Sequence, residues 1–278
     1  MRLYKHEEVA ILEQDGNWYR RSDMDWDQLI NRKGLYAFLN ADVKNWEPLE
    51  EKPVLGKEPP IGNQEVWAAG VTYLRSKQER MREAEAAGGG DFYDKVYDAE
   101  RPEIFFKATA ARCVGSGDVV NIRRDSSWDV PEPELTLFCN SHGSIEGYTI
   151  GNDMSSRSIE GENPLYLPQA KTYERCAGLG PCIYIIEDPI SPKSRISMEI
   201  LREEKSMYKD QVEISMMKRS HEELVGYLFR ECNFPRGCFL MTGTCLVPDE
   251  SFSLKVGDMI HIKIDGIGEL VNKVGMRA

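Results

Sequence analysis

Short runs of alternating apolar and polar residues dominate the chain from Glu103 onward, and this pattern predicts strands rather than helices. The clearest of these runs are EIFFKA, VVNIR, ELTLFC, IEGYTI, CIYII, RISMEILR, SMYKDQVEI, CFLMTGTCLV and MIHIKIDGIGELVNKV. A helix is expected near Ser220 to Arg230. The spacing of the runs and their turns favours a sheet-dominated α+β fold over a parallel βαβ array.

Residues 1–65 follow a different pattern and predict a small mixed unit. We expect a strand around Val9 to Leu12, a turn at Asp15-Gly16 and a helix around Trp26 to Ile30. The stretch from Glu47 to Gln64 is dense in proline and glycine, which is typical of a linker or an extended wrap. A small N-terminal domain over 1–65 and a larger domain over 66–278 follow from this change.

The segment SKQERMREAEAA, Ser76 to Ala87, is rich in strong helix formers and has few apolar positions for packing. Three glycines, Gly88 to Gly90, follow it. This combination predicts a flap at about 74–100, with a plain surface helix as the alternative.

Composition and charge narrow the class of protein. Charged residues make up 29% of the chain, the mean hydropathy is −0.48, and no apolar run reaches the 18 or so residues of a membrane span. The N-terminus lacks an export signal, so we expect a cytoplasmic globular protein. A formal net charge of −11 argues against nucleic acid and membrane surfaces as partners but leaves a small anionic substrate open.

The seven cysteines are scattered and contain no C-x-x-C pair, which argues against a disulfide framework and a zinc cage. We therefore expect all seven to be buried as small apolar residues. There is also no glycine-rich nucleotide fingerprint and no P-loop, so nucleotide binding is not predicted.

Three acidic residues stand near a predicted hairpin. Glu132 and Glu134 share one strand face because side chains alternate, and NSHGS reads as the turn that joins ELTLFC to IEGYTI. A hairpin centred on His142 and Gly143 would place Glu132 opposite Asp153. Three converging carboxylates would suit Mg²⁺, Mn²⁺ or Ca²⁺ better than zinc. The alternative is that these are solvated acids at a strand edge.

Several motifs together resemble the fumarylacetoacetate hydrolase family. In order they are EIFFK, EPEL, GYTIGNDMSSR, Lys171 ahead of GLGP, TGT at Thr242 to Thr244, and GIGELVNKV. The resemblance spans about 66–278 and implies that family's β-rich mixed-sheet catalytic domain. It also implies that Glu132, Glu134 and Asp153 hold a divalent metal, usually Mg²⁺, in a homodimer or homotetramer.

Two further stretches, YDKVYDAERPEIFFKAT and ENPLYLPQAK, resemble the branch of 2-keto-3-deoxy-D-arabinonate dehydratases. Hydrolases and decarboxylases of the family often carry a histidine and a glutamate in G-x-N-Y-x-x-H-x-x-E. This chain reads GVTYLRSKQE, which puts Ser76 at the histidine position and keeps Glu79. Because hydrolysis needs a base that activates water, this difference favours dehydration.

The resemblance implies a reaction on a 2-keto acid, whose carboxylate and keto oxygens would chelate the metal. Lys171 would screen charge on the enolate or move the C3 proton, and both roles stay open here. Glu103 is the candidate for the second proton transfer. Thr244 would bind the substrate carboxylate, and Ser76 and Glu79 would reach substrate hydroxyls. Without the family, Glu103 would read as a solvated edge residue and Thr244 as a turn residue.

The leading hypothesis is a Mg²⁺-dependent dehydratase that converts 2-keto-3-deoxy-D-arabinonate to 2,5-dioxopentanoate in sugar-acid catabolism. One alternative is a hydrolase of acylpyruvates or fumarylacetoacetate, or an oxaloacetate decarboxylase, on the same metal site. A third hypothesis is a non-catalytic protein that binds keto acids in a metal-dependent way.

Overall fold

The structure is a computed structural model that describes residues 1–55, 57–74 and 96–277. In this described part, the chain forms five α-helices and 18 strands. The helices are α1 (Trp26–Ile30), α2 (Leu35–Asp42), α3 (Arg157–Glu162), α4 (Leu167–Lys171) and α5 (His221–Leu228).

The strands follow one another along the chain with short connections. They are β1 (Arg2–His6), β2 (Val9–Gln14), β3 (Asn17–Arg21), β4 (Glu47–Leu49), β5 (Glu65–Gly70), β6 (Glu103–Thr109), β7 (Cys113–Val114), β8 (Val119–Ile122) and β9 (Asp129–Val130). The remainder are β10 (Pro133–Cys139), β11 (Ile145–Asp153), β12 (Ser155–Ser156), β13 (Ala177–Tyr184), β14 (Arg195–Arg202), β15 (Lys205–Glu213), β16 (Cys238–Met241), β17 (Met259–Ile264) and β18 (Gly268–Met276).

Two large sheets carry the fold, which confirms the predicted sheet-rich α+β class. The first runs β4-β3-β2-β1-β13-β11-β10-β16-β5-β6, with β7 added parallel to β13. The second runs β15-β14-β17-β18-β8. Strands β10 and β11 lie centrally in the first sheet, and every residue of β10 is buried.

The two sheets share a large apolar core. Side chains of β10 such as Leu135 and Leu137 lie in one buried cluster with Ile196 and Ile260 of the second sheet. Burial of this apolar surface is the main favourable term in the folding of such a structure. The central hairpin is therefore enclosed on both sides.

Residues 1–65 join the first sheet through β1, whose Leu3 lies opposite Ile183 of β13. Their apolar side chains, including Leu12 and Leu29, belong to a second buried cluster that also contains Phe138 and Phe239. The domain boundary near residue 65 stays a prediction, and the sheet itself runs across it.

The predicted helices at Trp26–Ile30 and near residues 220–230 are confirmed as α1 and α5. Each begins at a capping side chain that accepts a backbone hydrogen bond. Asp25 Oδ1 accepts from Gln28 N–H at 3.0 Å, and Ser220 Oγ accepts from Glu223 N–H at 3.1 Å.

The predicted hairpin register is also confirmed. Pro133 lies opposite Asn152, and Asp153 N–H donates to the Glu132 carbonyl at 2.9 Å. The turn includes Gly143 at a φ of +76°, a backbone conformation that glycine adopts without strain. A bulge between Phe138 and Cys139 lies on the turn side and leaves the register at the acidic end unchanged.

Two expectations need correction. Six cysteines are buried as predicted, but Cys232 is exposed, since it lies in the irregular segment after α5 rather than in a strand. The run CFLMTGTCLV forms a strand only to Met241, because Gly243 takes a φ of +95° and turns the chain.

The predicted flap at about 74–100 lies mostly outside the described residues. Among the described helices, none is long and apolar enough to cross a membrane.

Candidate active site

The acidic end of the β10–β11 hairpin brings three carboxylates together. Glu132, Glu134 and Asp153 are 3%, 1% and 1% exposed, and one carboxylate oxygen of each lies within 4.8 Å of the others. Glu132 and Glu134 are two residues apart, and Asp153 enters from the paired strand. Because the three are buried, they are not solvated acids at a strand edge.

Lys171, the last residue of α4, lies among these carboxylates. Its Nζ is 2.7 Å from Glu132 Oε2 and 3.2 Å from Asp153 Oδ2, and it donates to Ser155 Oγ at 2.6 Å. The Phe105 ring covers the same ammonium, with its centroid 5.5 Å from Nζ. The structure thus joins Lys171 to two of the three predicted metal ligands.

Lys107 supplies a second buried ammonium. It belongs to β6 at a bulge, where Ala108 pairs with Val66 and Phe106 with Trp67, so that no residue of β5 lies opposite Lys107. A bulge re-aims a side chain in this way. Lys107 Nζ lies 2.6 Å from Asp153 Oδ1 and donates to the Met154 carbonyl at 2.8 Å.

Arg157 completes the set of cations at the start of α3. Its Nη2 donates to Glu132 Oε1 at 2.7 Å, and its side chain is buried. Glu132 is therefore held by Arg157 on one oxygen and Lys171 on the other. This geometry fixes the carboxylate plane.

Glu134 differs from its two neighbours. Among the described residues it has no ion-pair partner, and its Oε2 accepts from Gly243 N–H at 2.6 Å. Burial raises the pKa of Glu134 well above its usual value, and the charges of Asp153 and Glu132 raise it further. A buried carboxylate in this position is stabilised by a cation, and all-oxygen donors suit Mg²⁺. The residues present fit a divalent ion.

The TGT motif approaches the cluster through its backbone. Gly243 is required there, because a Cβ would lie 2.1 Å from Thr72 Oγ1 and the φ of +95° is strained for other residues. Thr244 is nearly buried, and its Oγ1 accepts from Leu246 N–H at 3.1 Å. This bond is the expected turn role of Thr244, and its hydroxyl proton is a further donor.

Glu103 begins β6 at the edge of the first sheet and is half-buried. It lies opposite Gly70, where a Cβ would come within 1.9 Å of Glu103 Oε2. Side chains two apart on a strand share a face, so Glu103 shares the face of Phe105, which covers Lys171. A strand advances about 3.3 Å per residue, so Glu103 lies roughly 7 Å along β6 from Phe105.

Two predicted site residues, Ser76 and Glu79, lie outside the described residues. Two residues that the sequence did not single out as site residues, Lys107 and Ser155, contact the cluster directly. A signal for Lys107 was available, because a lysine inside an apolar strand such as EIFFKA needs a buried partner.

Comparison with known proteins adds a family. Residues 65–275 match the model of the fumarylacetoacetate (FAA) hydrolase C-terminal family. A probable 2-keto-3-deoxyxylonate dehydratase of Haloferax volcanii is 51% identical over 77% of this chain and 73% of its own. The 2-dehydro-3-deoxy-D-arabinonate dehydratase of Saccharolobus solfataricus is 44% identical over 78% and 74%.

Solved structures agree over the whole length. A 2-keto-3-deoxyarabinonate dehydratase in a hexagonal crystal form superposes with a TM-score of 0.84 at 34% identity, covering 99% of this chain and 98% of its own. A 2-keto-3-deoxy-D-arabinonate dehydratase complexed with magnesium and 2,5-dioxopentanoate gives 0.79 at 35% identity, with the same coverage.

Proposed function

The chain belongs to the fumarylacetoacetate hydrolase family, and from this premise we propose that it is a Mg²⁺-dependent hydro-lyase acting on 2-keto-3-deoxy-D-arabinonate. The product is 2,5-dioxopentanoate. The observation that carries the proposal is the buried triad with the Lys171 ammonium 2.7 and 3.2 Å from two of its members. Relatives named as dehydratases at 51% and 44% identity support the reaction type.

Glu132, Glu134 and Asp153 would hold the ion. When bound, a divalent ion would supply Lewis-acid stabilisation of the charge that develops on the keto oxygen of the substrate. Arg157 and Lys107 position two of these carboxylates, Glu132 and Asp153 respectively.

The chain's own residues would move the protons. Lys171 and Glu103 share removal of the C3 proton and protonation of the C4 hydroxyl, which leaves as water and gives a C3–C4 double bond. Loss of a C5 proton and protonation at C3 then give a C4–C5 enol. This enol tautomerises to the C5 aldehyde by protonation at C4 and loss of its hydroxyl proton, so the net change is loss of one water. Phe105 covers Lys171 and helps to exclude bulk water from this step.

Substrate recognition would use shorter polar side chains. Thr244, next to the backbone donor of Gly243, would donate to the substrate carboxylate, and Ser76 and Glu79 would contact its hydroxyls. C4 is the only stereocentre of a 2-keto-3-deoxypentonate. The acids derived from D-arabinonate and D-xylonate are therefore one compound, and a single site serves both.

Product analysis tests the function. The protein should convert 2-keto-3-deoxy-D-arabinonate with Mg²⁺ to an aldehyde that retains all five carbons, and this conversion should stop in EDTA. A panel of 2-keto-3-deoxy pentonates and hexonates, with acylpyruvates and oxaloacetate beside them, sets the specificity. Efficient cleavage of acylpyruvates or decarboxylation of oxaloacetate, with no 2,5-dioxopentanoate formed, would reject the dehydratase proposal in favour of a hydrolase or a decarboxylase.

Two variants separate metal binding from chemistry. Glu134→Gln should weaken Mg²⁺ binding strongly in a calorimetric titration, because a charge that the cation needs is removed. Lys171→Ala should abolish turnover while Mg²⁺ binding stays near that of the parent, since Glu132 keeps Arg157 and Asp153 keeps Lys107. Unchanged Mg²⁺ affinity in Glu134→Gln would reject the site.

The compartment, the oligomeric state and the division of the chain are proposed from separate observations. Seven free cysteines favour a reducing compartment such as the cytoplasm. We expect a homodimer or homotetramer, which light scattering measures directly. We retain residue 65 as the start of the family's catalytic region, and the start of the family match at that residue supports it.

A further inference from the structure

An arginine-lined cavity lies beside the candidate active site. Its volume is about 560 Å³. Four arginines and two acidic residues contribute its charged lining: Arg112, Arg123, Arg124, Arg277, Asp125 and Glu174. An excess of arginines at one place is unexpected in a chain with a formal net charge of −11. Such an excess marks a site that favours negative charge.

The cavity is built by regular elements. Met276 at the end of β18 pairs with Ile122 at the end of β8, which brings Arg277 beside Arg123. Asn121 donates its backbone N–H to the Arg175 carbonyl and its Nδ2 to the Glu174 carbonyl, both at 3.1 Å. These bonds hold the segment after α4, which also lines the cavity, against β8.

The arginines of the cavity differ in how many of their donors are already used. Arg123 is bonded to other protein groups, whereas Arg112 and Arg124 have donors available for a ligand. Arg123 is fully engaged, with Nε and Nη2 on Asp125 at 2.8 and 2.6 Å and Nη1 on the Gln169 carbonyl at 3.0 Å. Arg124 donates one Nη2 bond to the Arg277 carbonyl. Within the described residues, the Arg112 side chain has no hydrogen bond or ion pair, so its donors and the rest of those on Arg124 are available for a ligand.

The lining selects a class of ligand. Guanidinium groups bind planar or tetrahedral oxyanions by paired hydrogen bonds, and several of them together favour an anion with more than one charge. The negative charge of the whole molecule opposes long polyanions such as nucleic acid, whose charges extend beyond the cavity. A small oxyanion with two charges fits both conditions.

We propose that this cavity is a second binding site, separate from the acidic triad, for a small doubly charged oxyanion of the phosphate class. Inorganic phosphate and a phosphate monoester share this chemistry.

The bound anion would also stabilise the position of α4. Arg123 holds the Gln169 carbonyl of α4, two residues before Lys171. Tyr173 lines the cavity, and its ring lies 5.6 Å from the Arg123 guanidinium carbon and 5.7 Å from Lys107 Nζ. These contacts join the cavity to two cations of the active site.

Calorimetric titration of inorganic phosphate into the metal-free protein tests the site without using its activity. We expect saturable binding to the parent, weakened roughly tenfold by Arg112→Gln and by Arg124→Gln, the change expected for one lost charge-assisted contact. Arg20→Gln is the matched control, because Arg20 is a partly exposed arginine on β3 that pairs with Glu47 of β4, away from the cavity lining. It should bind phosphate as the parent does.

Three results would overturn the site. Equal phosphate affinity in the parent and both cavity variants would place the anion elsewhere. Phosphate binding that requires added Mg²⁺ and is lost in Glu134→Gln would place it at the acidic triad. Titration with glycerol phosphate distinguishes the two sources, since a monoester should bind if the cavity accepts substituents. Absence of binding to the parent would reject the site, and an altered oligomeric state in Arg112→Gln would then make the cavity an interface between copies instead.

Hydrogen exchange tests the link to α4. At a phosphate concentration near the Kd of the parent, phosphate should increase protection of the amides from Leu167 to Tyr173 in the parent and clearly less in Arg112→Gln. Equal exchange with and without phosphate in a saturated parent would reject the link.

Discussion

Lys107 illustrates how much a single buried charge contributes at this site. Its ammonium is fully buried and is compensated by Asp153 Oδ1 at 2.6 Å and by the Met154 carbonyl at 2.8 Å. A buried charge is tolerated only when it is paired, and loss of one partner leaves the other uncompensated. The pair is therefore a determinant of local structure as well as a part of the proposed metal site.

Lys107→Met should destabilise the metal-free protein by about 3–5 kcal/mol, because Asp153 keeps only its longer contact to Lys171. Urea denaturation in EDTA measures this change. Lys209→Met is the matched control, since Lys209 forms an exposed pair with Glu199 at 3.0 Å and should cost at most about 1 kcal/mol. Equal stabilities of the two variants would show that the buried pair contributes no more to the free energy of unfolding than the exposed pair.

Asp129 gives a pH-dependent term in stability. Burial raises the pKa of Asp129 to about 6 from an ordinary value of 3.8, while Ser126 and the Arg123 charge lower it and the Asp125 charge raises it. The raised pKa means that the fold prefers the protonated carboxyl. The resulting penalty is absent below pH 3.8, grows through the window up to pH 6 and is complete above it.

Asp129→Asn should therefore gain stability over the parent as the pH rises from 4 to 7, by at most roughly 3 kcal/mol. Denaturant titrations at the two pH values give the difference. Asp125→Asn should change in the opposite direction, because the hydrogen bond from Arg123 lowers the pKa of Asp125, although its exposure keeps the effect small. A stability difference between Asp129→Asn and the parent that does not vary with pH would contradict the expectation.

At the scale of elements, the pairing of β5 with β6 offers a test of Glu103. Gly70→Ala would place a methyl group 1.9 Å from the present position of Glu103 Oε2, so the carboxyl has to move. We expect kcat to fall by about tenfold or more, with Mg²⁺ affinity unchanged, if Glu103 transfers a proton. Steady-state kinetics with calorimetry separates the two effects.

Gly226→Ala is the control for this variant, because a Cβ at Gly226 on α5 meets nothing within 4 Å. It should retain full activity and gain at most about 1 kcal/mol of stability from the better helix former. Full activity in Gly70→Ala would instead argue that the position of the Glu103 carboxyl does not matter for the reaction.

Elements with a local cause could be predicted from the sequence. The β10–β11 register follows from a turn at His142-Gly143 and from alternating side chains, and α5 follows from a Ser220 cap before an apolar periodicity. The three acidic positions could be found for the same reason. Each of these signals lies within about 25 residues of sequence, where spacing translates into geometry.

Elements with a distant cause could not be predicted. The Lys107 bulge depends on β5, some 40 residues away in sequence, and the contact of Arg157 with Glu132 depends on how α3 packs beside β9. The end of β16 at Met241 results from the approach of Gly243 to Thr72 and Glu134, which no local pattern shows. Side chains brought together by three different elements require the tertiary fold.

At the scale of the whole molecule, the N-terminal segment completes the first sheet. Its β1 covers the edge of β13, where Arg2 and Leu3 pair with Tyr184 and Ile183. Its apolar side chains pack in the buried cluster that contains Phe138, which lies four residues from Glu134 on the same face of β10. The segment before residue 65 therefore supports the strands that carry the site, although the family match begins at that residue.

A fragment of residues 65–278 should consequently fail to fold as a soluble, cooperative unit. Removal of β1–β4 leaves the β13 edge unpaired and exposes the apolar cluster around Phe138 and Ile183, and both features promote aggregation. Expression followed by size exclusion and urea denaturation measures this outcome. Co-expression with residues 1–64 should restore solubility, because the missing strands can then pair in trans. A soluble fragment with a single cooperative unfolding transition would instead establish the boundary near residue 65 as one between independently stable domains.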